Sequence, residues 1–160
     1  MSTGIFPGRF QPFHIGQLMV VQGMIKSCGN VVIAICHGHS KKDDLFTVSE
    51  VREMISSSLL AEDIVDANIV EVSDFADDAE WVDALLEAAG NSEEVTLWTG
   101  DDDMKQIFKK AGLPIQNISL VPGFDGGEIR AMIASGNKEW RSKIPAGAID
   151  VVYEKFSNKN

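Results

Sequence analysis

Glycine, arginine and histidine come together near the start of the chain, where the sequence reads Gly8-Arg9-Phe10-Gln11-Pro12-Phe13-His14-Ile15-Gly16-Gln17. This segment follows a short apolar run and enters an amphipathic one, so it is expected to join a strand to the amino end of a helix. Unpaired N–H groups and the positive dipole at such an end favour an anion. Gly8 would allow a tight turn, and Gly16 would allow the backbone or a ligand to approach closely. Arg9 adds a charge and His14 a donor, so the pattern predicts a phosphate site, although glycine, proline and histidine also build ordinary loops.

The rest of the chain predicts the elements that hold this loop. Short β-branched runs alternate with longer amphipathic ones, which is typical of parallel strands joined by crossover helices. Strands are predicted at residues 3–6, 31–36, 68–72, 95–99 and 118–121. Helices are predicted at residues 16–27, 49–60, 79–89, 102–111, 127–134 and 145–153. The predicted fold is α/β, a single Rossmann-like doubly wound domain over residues 1–160 with a mainly parallel five-stranded sheet and C-terminal helices.

Local signals set the helix ends and the place of the site. Ser49 could cap the second helix, and Gly90 and Gly112 lie where a left-handed residue often closes a helix. In a doubly wound sheet, ligands collect beyond the carboxyl ends of the strands. The loops after the first, second and fourth strands are therefore expected to share one crevice.

Composition limits the class of partner. The chain has 160 residues, 44% of them hydrophobic, and a formal net charge of −10, so its field would repel a nucleic acid. It has two cysteines and needs no disulfide at this length, which favours a reduced, cytoplasmic protein. No apolar run approaches the roughly 20 residues that cross a bilayer, and no signal peptide is evident. Neither a membrane nor a nucleic acid is expected as a partner.

The first loop closely resembles the phosphate loop of the HxGH nucleotidyltransferase superfamily. The resemblance is closest to archaeal-type nicotinamide-nucleotide adenylyltransferases, which read Gly-Arg-Phe-Gln-Pro-Phe-His-x-Gly-His. Further similarity lies in Phe46-Thr47, Trp81-Val82, Trp98-Thr99-Gly100 and the Trp and Pro of Trp140-Arg141-Ser142-Lys143-Ile144-Pro145. It therefore covers almost the whole chain, although only the first loop is highly specific.

The resemblance implies a reaction and a set of site residues. The 5′-phosphate of nicotinamide mononucleotide would attack the α-phosphorus of ATP, giving NAD and pyrophosphate, with Mg²⁺ carried mainly by the triphosphate. A homo-oligomer is also expected. The implied catalytic residues are His14, Gln17 and Arg130. The implied nucleotide-binding residues are Gly8, Arg9, Phe10, Gln11, Gly16, Lys41, Lys42, Gly100, Asp101, Asp125 and Gly127. His37 and Trp81 would bind the acceptor.

The sequence departs from the family pattern at three of these positions. Gln17 replaces the second histidine, and its amide can donate a hydrogen bond but cannot carry a positive charge. Loss of such a contact could cost on the order of 2–4 kcal/mol. The second signature, Ser-x-Thr-x-x-Arg, keeps only Arg130. Asp125 and Gly127 replace the two hydroxyl residues, and Asp125 could simply cap the late helix.

Several candidate residues also have a purely structural interpretation. Trp81 could pack in the core, Lys41 and Lys42 could be solvated loop charges, and Asp101 could complement a helix dipole. A zinc site at Cys36 and its neighbouring histidines is disfavoured because the ligand spacing is wrong.

Two other functions stay open. The chain could use a different phosphomonoester acceptor, or CTP, because the fold does not fix the substrate. Alternatively, it could be a catalytically weakened nucleotide-binding protein.

Overall fold

The computed structural model describes residues 2–38, 44–75, 77–119 and 121–157. The strands are β1 Thr3–Gly8, β2 Asn30–His37, β3 Ala67–Ser73, β4 Val95–Thr99 and β5 Ile115–Asn117. The helices are α1 Ile15–Ser27, α2 Val48–Ala61, α3 Asp78–Ala88, α4 Asp102–Lys110, α5 Gly126–Ser135 and α6 Ala146–Ser157, with a 3₁₀ helix at Lys138–Ser142. No helix in these ranges is long and apolar enough to span a membrane.

The five strands form one parallel sheet in the order β3-β2-β1-β4-β5. Because β1 is central, its residue Ile5 pairs with Val32 on one side and with Leu97 on the other. All three side chains are buried, as expected for parallel strands covered on both faces. From β1, the chain first adds β2 and β3 on one side and then β4 and β5 on the other side. This change of direction between β1 and β4 is the doubly wound pattern. The predicted α/β class with a parallel five-stranded sheet is confirmed.

The chain divides into two compact units. The first, Met1–Arg9, Val20–Ser40 and Asp66–Ser119, contains the sheet, α3 and α4. Its core includes Ile5, Leu97 and Phe108, all fully buried.

The second unit, Phe10–Met19, Lys41–Val65 and Leu120–Asn160, contains the first loop, α2, α5, the 3₁₀ helix and α6. Lys155 of α6 forms an ion pair with Glu50 of α2 at 2.6 Å, and Phe156 packs edge-on against Phe46.

The fifth strand lies three residues before its predicted position. Ile115 pairs with Leu97, and the following Gln116 and Asn117 are exposed. This short edge strand therefore lacks the apolar run by which strands are recognised, whereas the apolar residues from 118 onward follow it. Hydrogen bonding to β4, rather than hydrophobicity, defines the strand.

Two of the helix-end predictions are confirmed and one is wrong. Gly90 and Gly112 have φ values of 84° and 72°, directly after the C-cap residues of α3 and α4. Ser49, by contrast, lies inside α2. The N-cap is Thr47, whose hydroxyl accepts from the Glu50 N–H while the Glu50 carboxylate accepts from the Thr47 N–H. The reciprocal pair satisfies two N–H groups at once and so fixes the earlier start.

Helices α2 and α6 pack so closely that one position excludes a side chain. A Cβ atom at Gly147 would overlap the carbonyl group of Ser57, whereas a Cβ at Gly23 of α1 would meet nothing within 4 Å. We expect Gly147→Ala to lower the free energy of unfolding by about 1–3 kcal/mol through overpacking. Gly23→Ala should raise it by about 0.5–1 kcal/mol because alanine is the better helix former. Urea denaturation measures both, and equal effects of the two substitutions would contradict this packing.

Candidate active site

The backbone conformation that is unusual in the first loop occurs at Phe10. Gly8, where a tight turn was expected, does not have it. Gly8 is the last residue of β1 and pairs with Ile35. Phe10 has a φ of 54°, in the left-handed region that non-glycine residues seldom adopt, and the Gln11–Pro12 peptide is cis. The Phe10 ring is 2% exposed and packs edge-on against Phe13 at 5.9 Å. Phe10 therefore fixes the shape of the loop, and its buried side chain is a structural element.

The Gln11 side chain joins this loop to the segment before α2. Its Oε1 accepts from the N–H groups of Leu45 and Phe46 at 3.0 and 2.9 Å, and its Nε2 donates to the Phe46 carbonyl at 2.9 Å. The Gln11 carbonyl accepts from Arg130 Nη1 at 2.9 Å. Gln11 was predicted to bind the nucleotide, and in the structure its side-chain amide positions the segment before α2.

His14 and Gln17 cap α1 through two reciprocal hydrogen bonds. The Gln17 Oε1 accepts from the His14 N–H at 3.0 Å, and the His14 Nδ1 accepts from the Gln17 N–H at 3.3 Å. This is the geometry of a capping box with histidine as the N-cap residue. A backbone N–H can only donate, so Nδ1 must be unprotonated and the neutral ring carries its proton on Nε2. Among the described residues, the Gln17 amide nitrogen has no hydrogen-bond partner, because its oxygen alone serves the cap.

Burial keeps the His14 imidazole uncharged. The residue is 9% exposed, and desolvation lowers its pKa to about 4, against the opposing field of the Asp125 carboxylate. Nε2 has no hydrogen-bond partner in the described chain, yet it is not among the fully enclosed polar atoms. His14 therefore presents a neutral N–H donor that a ligand can reach.

Gly16 leaves room for the tight packing of this turn. A Cβ atom there would lie 3.0 Å from His14 Cε1 and 3.1 Å from the Cβ of Phe124. The Ile15 N–H donates to the Lys143 carbonyl at 2.9 Å, and the Gln17 N–H is used by His14. Of the first three backbone N–H groups of α1, only that of Gly16 has no hydrogen-bond partner within the described residues. It supplies the backbone donor that the sequence predicted for this helix end.

Two residues near His14 were not predicted as part of the site. The Phe124 ring stacks on the His14 ring with a centroid separation of 6.4 Å, and the Lys143 ammonium lies 5.1 Å from the Phe124 ring centroid. The sequence carried no clear signal for them, because an isolated Phe and an isolated Lys in late loops have no motif of their own.

The second signature lies at the start of α5. Asp125 is the N-cap residue and accepts from the Gly127 N–H at 3.4 Å, so its capping interpretation is confirmed. The Arg130 guanidinium reaches back toward this helix end. Its Nη1 would lie 3.3 Å from a Cβ at Gly126, and its Nη2 3.7 Å from a Cβ at Gly127. The missing side chain at Gly127 therefore leaves space beside the guanidinium.

The predicted residues of the first unit lie mostly at the carboxyl ends of its strands. Arg9 Nη1 forms an ion pair with Asp74 Oδ2 at 2.9 Å, and both side chains are 21% exposed. His37, at the end of β2, accepts the Asp74 N–H through its carbonyl oxygen. The charge of Arg9 is therefore already balanced by an acid from the end of β3.

Three further predicted residues of the first unit have structural roles. A Cβ at Gly100 would lie 2.8 Å from the Ile118 carbonyl oxygen, so glycine allows a close backbone approach. Asp101 caps α4 by accepting from the Met104 N–H at 3.0 Å. Trp81 is 8% exposed and stacks on Phe108 at 5.6 Å, which places its ring in the core.

Lys41 and Lys42, predicted to reach the triphosphate, lie outside the described residues. Elsewhere in the described chain, no three His, Cys, Asp or Glu side chains come together in a way that could hold a metal ion. The second unit does gather several of the predicted residues into one group. This α1-entrance cluster consists of His14, Gly16, Gln17, Phe124, Asp125, Arg130 and Lys143.

The low pKa of His14 makes the stability of the fold depend on pH. Between pH 6.5 and about 4, the unfolded chain binds a proton at His14 that the native state excludes, so the free energy of unfolding falls as the pH decreases. The contribution is complete above pH 6.5 and amounts to about 3 kcal/mol, at about 1.4 kcal/mol per pKa unit.

His14→Asn should flatten this pH dependence, because asparagine can cap the helix but does not titrate in this range. Urea denaturation at several pH values across the window measures the difference between the two proteins. The same pH slope in wild type and variant would show that His14 is not held neutral.

Comparison with known proteins identifies the family. The model of the cytidylyltransferase-like family matches residues 5–138. The nicotinamide-nucleotide adenylyltransferase of Methanolobus tindarius is 26% identical over 159 residues, covering 96% of this chain and 89% of the relative. That of Methanococcus aeolicus is 29% identical over 153 residues, covering 92% and 86%.

The fold comparison agrees. A bifunctional NMN adenylyltransferase/ADP ribose pyrophosphatase from Francisella tularensis superposes with a TM-score of 0.86 at 17% identity. The match covers 99% of this chain and 50% of the Francisella protein, so the chain spans half the length of that protein. The chain belongs to the cytidylyltransferase-like family and is a nucleotidyltransferase of the HxGH type, similar to the archaeal nicotinamide-nucleotide adenylyltransferases.

Proposed function

We propose that this protein joins nicotinamide mononucleotide to the adenylyl group of ATP, forming NAD and releasing pyrophosphate. The observation that carries the proposal is the pair of neutral donors that His14 and Gln17 supply at the amino end of α1. Similarity over nearly the whole chain to proteins of this name supports the choice of substrates.

The reaction suits a site without a general base. A phosphate oxygen of the mononucleotide attacks the α-phosphorus, and the bond from that phosphorus to the oxygen bridging to the β-phosphate breaks. The attacking oxygen is already ionised near neutral pH, since the second pKa of a phosphomonoester is about 6. The protein therefore has to position two anions and stabilise negative charge, which hydrogen-bond donors and cations can do.

Four residues of the α1-entrance cluster have a role in this scheme. The Nε2–H of His14, the amide of Gln17 and the N–H of Gly16 would donate to phosphate oxygens. Arg130 would bind the phosphate chain with the guanidinium N–H groups that the Gln11 carbonyl does not use. Magnesium would enter with ATP, bound to the triphosphate of the substrate.

The replaced family positions favour a second candidate, a nucleotide-binding protein with weak or no transfer activity. Gln17 and Asp125 both serve as helix caps, so each has a structural reason to be present whether or not the protein catalyses a reaction. Asp125 also places a negative charge close enough to His14 to act on its pKa. Gln17 in place of a cationic donor would slow transfer by about 10²–10³.

A product assay tests the proposal against both alternatives. We expect incubation with magnesium, ATP and nicotinamide mononucleotide to yield NAD and pyrophosphate, detected by mass spectrometry. Parallel reactions replace ATP by CTP, or the acceptor by other phosphomonoesters such as pantetheine phosphate and flavin mononucleotide. A product only in one of these reactions would overturn the choice of substrate. Binding of ATP in titration calorimetry without any product would support the non-catalytic candidate.

Arg130 gives a test at the level of a single residue. Arg130→Lys should raise the Kd for ATP about tenfold, because lysine lacks the forked donors that hold two phosphate oxygens. The melting temperature should change little, since a lysine ammonium can still donate to the Gln11 carbonyl. Arg141→Lys is the matched control, because Arg141 lies over Trp140 and Tyr153 and is exposed. A variant that melts earlier yet binds ATP normally would show that Arg130 is only structural.

A further inference from the structure

The two donors that cap α1 carry no positive charge. His14 accepts the Gln17 N–H at Nδ1 and is therefore neutral in this geometry, and Gln17 is an amide. A nucleoside triphosphate has several negative charges, which neutral donors alone stabilise less well than charged ones. A cation close to this helix end is therefore needed, and Arg130 gives one of its N–H groups to the Gln11 carbonyl.

Lys143 is fixed next to the same helix end. It is the C-cap residue of the 3₁₀ helix, and its carbonyl accepts the Ile15 N–H in the first turn of α1 at 2.9 Å. Its backbone is thus tied to the turn that contains His14 and Gln17. The element that brings it there follows α5 in the sequence, more than 120 residues after the first loop.

The Lys143 ammonium lies over the ring of Phe124, the aromatic residue of the cluster that stacks on His14. Nζ lies 5.1 Å from the centroid of Phe124, whose ring stacks on His14. A Cβ at Gly123 would lie 3.3 Å from Nζ, so glycine leaves room for the ammonium. A cation over a ring face keeps its N–H donors available to a further partner.

Among the residues that the structure describes, no acid forms an ion pair with Lys143. The side chain is half-buried, and within the described ranges no carboxylate oxygen lies within 4.0 Å of Nζ. Lys155, by comparison, is paired with Glu50 at 2.6 Å. A half-buried, unpaired lysine beside an open helix end favours an anionic ligand over solvent alone.

We propose that Lys143 is a phosphate-binding residue that supplies positive charge to the triphosphate of the substrate at the amino end of α1. This inference rests on the proposed function only in that the substrate is a nucleoside triphosphate. It depends neither on the identity of the base nor on that of the acceptor.

Titration calorimetry with inorganic tripolyphosphate and with MgATP tests the proposal on four proteins. Lys143→Met keeps the backbone hydrogen bond and the side-chain length but removes the charge, whereas Lys143→Arg keeps the charge. Lys138→Met is the matched control, because Lys138 is exposed on the same 3₁₀ helix. We expect Lys143→Met to raise the Kd for both ligands about tenfold, and Lys143→Arg and Lys138→Met to change it less than about twofold.

Salt dependence separates a charge contact from a change in shape. The Kd of the wild type should rise with ionic strength more steeply than that of Lys143→Met, since one ion contact is lost in the variant. Thermal denaturation shows that the variant is folded, and adenosine should bind the wild type and the variant equally. Equal Kd values and equal salt slopes for Lys143→Met and Lys138→Met would overturn the proposal, as would a wild type that binds neither ligand.

The outcome is distinguishable from the test of the proposed function. A wild type that binds tripolyphosphate through Lys143 but forms no NAD would refute the proposed reaction and leave this assignment standing. If NAD forms and the Kd for ATP is the same in the wild type and in Lys143→Met, the proposed reaction stands and the assignment of Lys143 is refuted.

Discussion

The two hydrogen bonds between His14 and Gln17 control the chemistry available at the start of α1. They satisfy the His14 N–H, which would otherwise be costly in a turn as buried as this one, and they share the Gln17 N–H with the His14 carbonyl, which accepts it at 3.1 Å. They also decide the protonation of the imidazole, because a ring nitrogen that accepts a backbone N–H cannot carry a proton. Gly16 lies between the two residues, and a side chain there would crowd the His14 ring.

Helix capping and ligand binding compete for the same atoms in this fold. The amino ends of α1, α4 and α5 are capped by His14, Asp101 and Asp125. A side chain that satisfies the helix has fewer atoms left for a substrate. At α1, His14 caps through one ring nitrogen, so the other stays available as a donor to the proposed ligand. At α5 the cap is an acid, so in the proposed site Arg130 and Lys143 would provide the positive charge.

Several residues of the family motif act on the position of others. Gln11 holds the segment before α2 with three hydrogen bonds and holds Arg130 through its carbonyl. Phe10 fills a buried position in a left-handed conformation, and Gly100 lets two backbone segments approach closely. Motif residues such as these shape the path of the chain. A short motif can therefore serve packing even when another position within it, such as position 17, departs from the family pattern.

The sequence by itself determined the α/β class, the parallel sheet, the two left-handed glycines after α3 and α4, and the family. Periodic burial and glycine geometry are local properties, and the ten-residue first loop is long enough to be specific. It did not reveal β5, whose polar residues pair with β4, or the start of α2, where the cap is Thr47 and not the predicted Ser49. Only the tertiary structure decided that Trp81 packs on Phe108, that the Gln17 side chain accepts the His14 N–H at the start of α1 and that Lys143 lies beside Phe124. These outcomes depend on contacts between residues distant in the sequence, or on which of several hydrogen bonds a side chain makes, and residue type alone does not encode either.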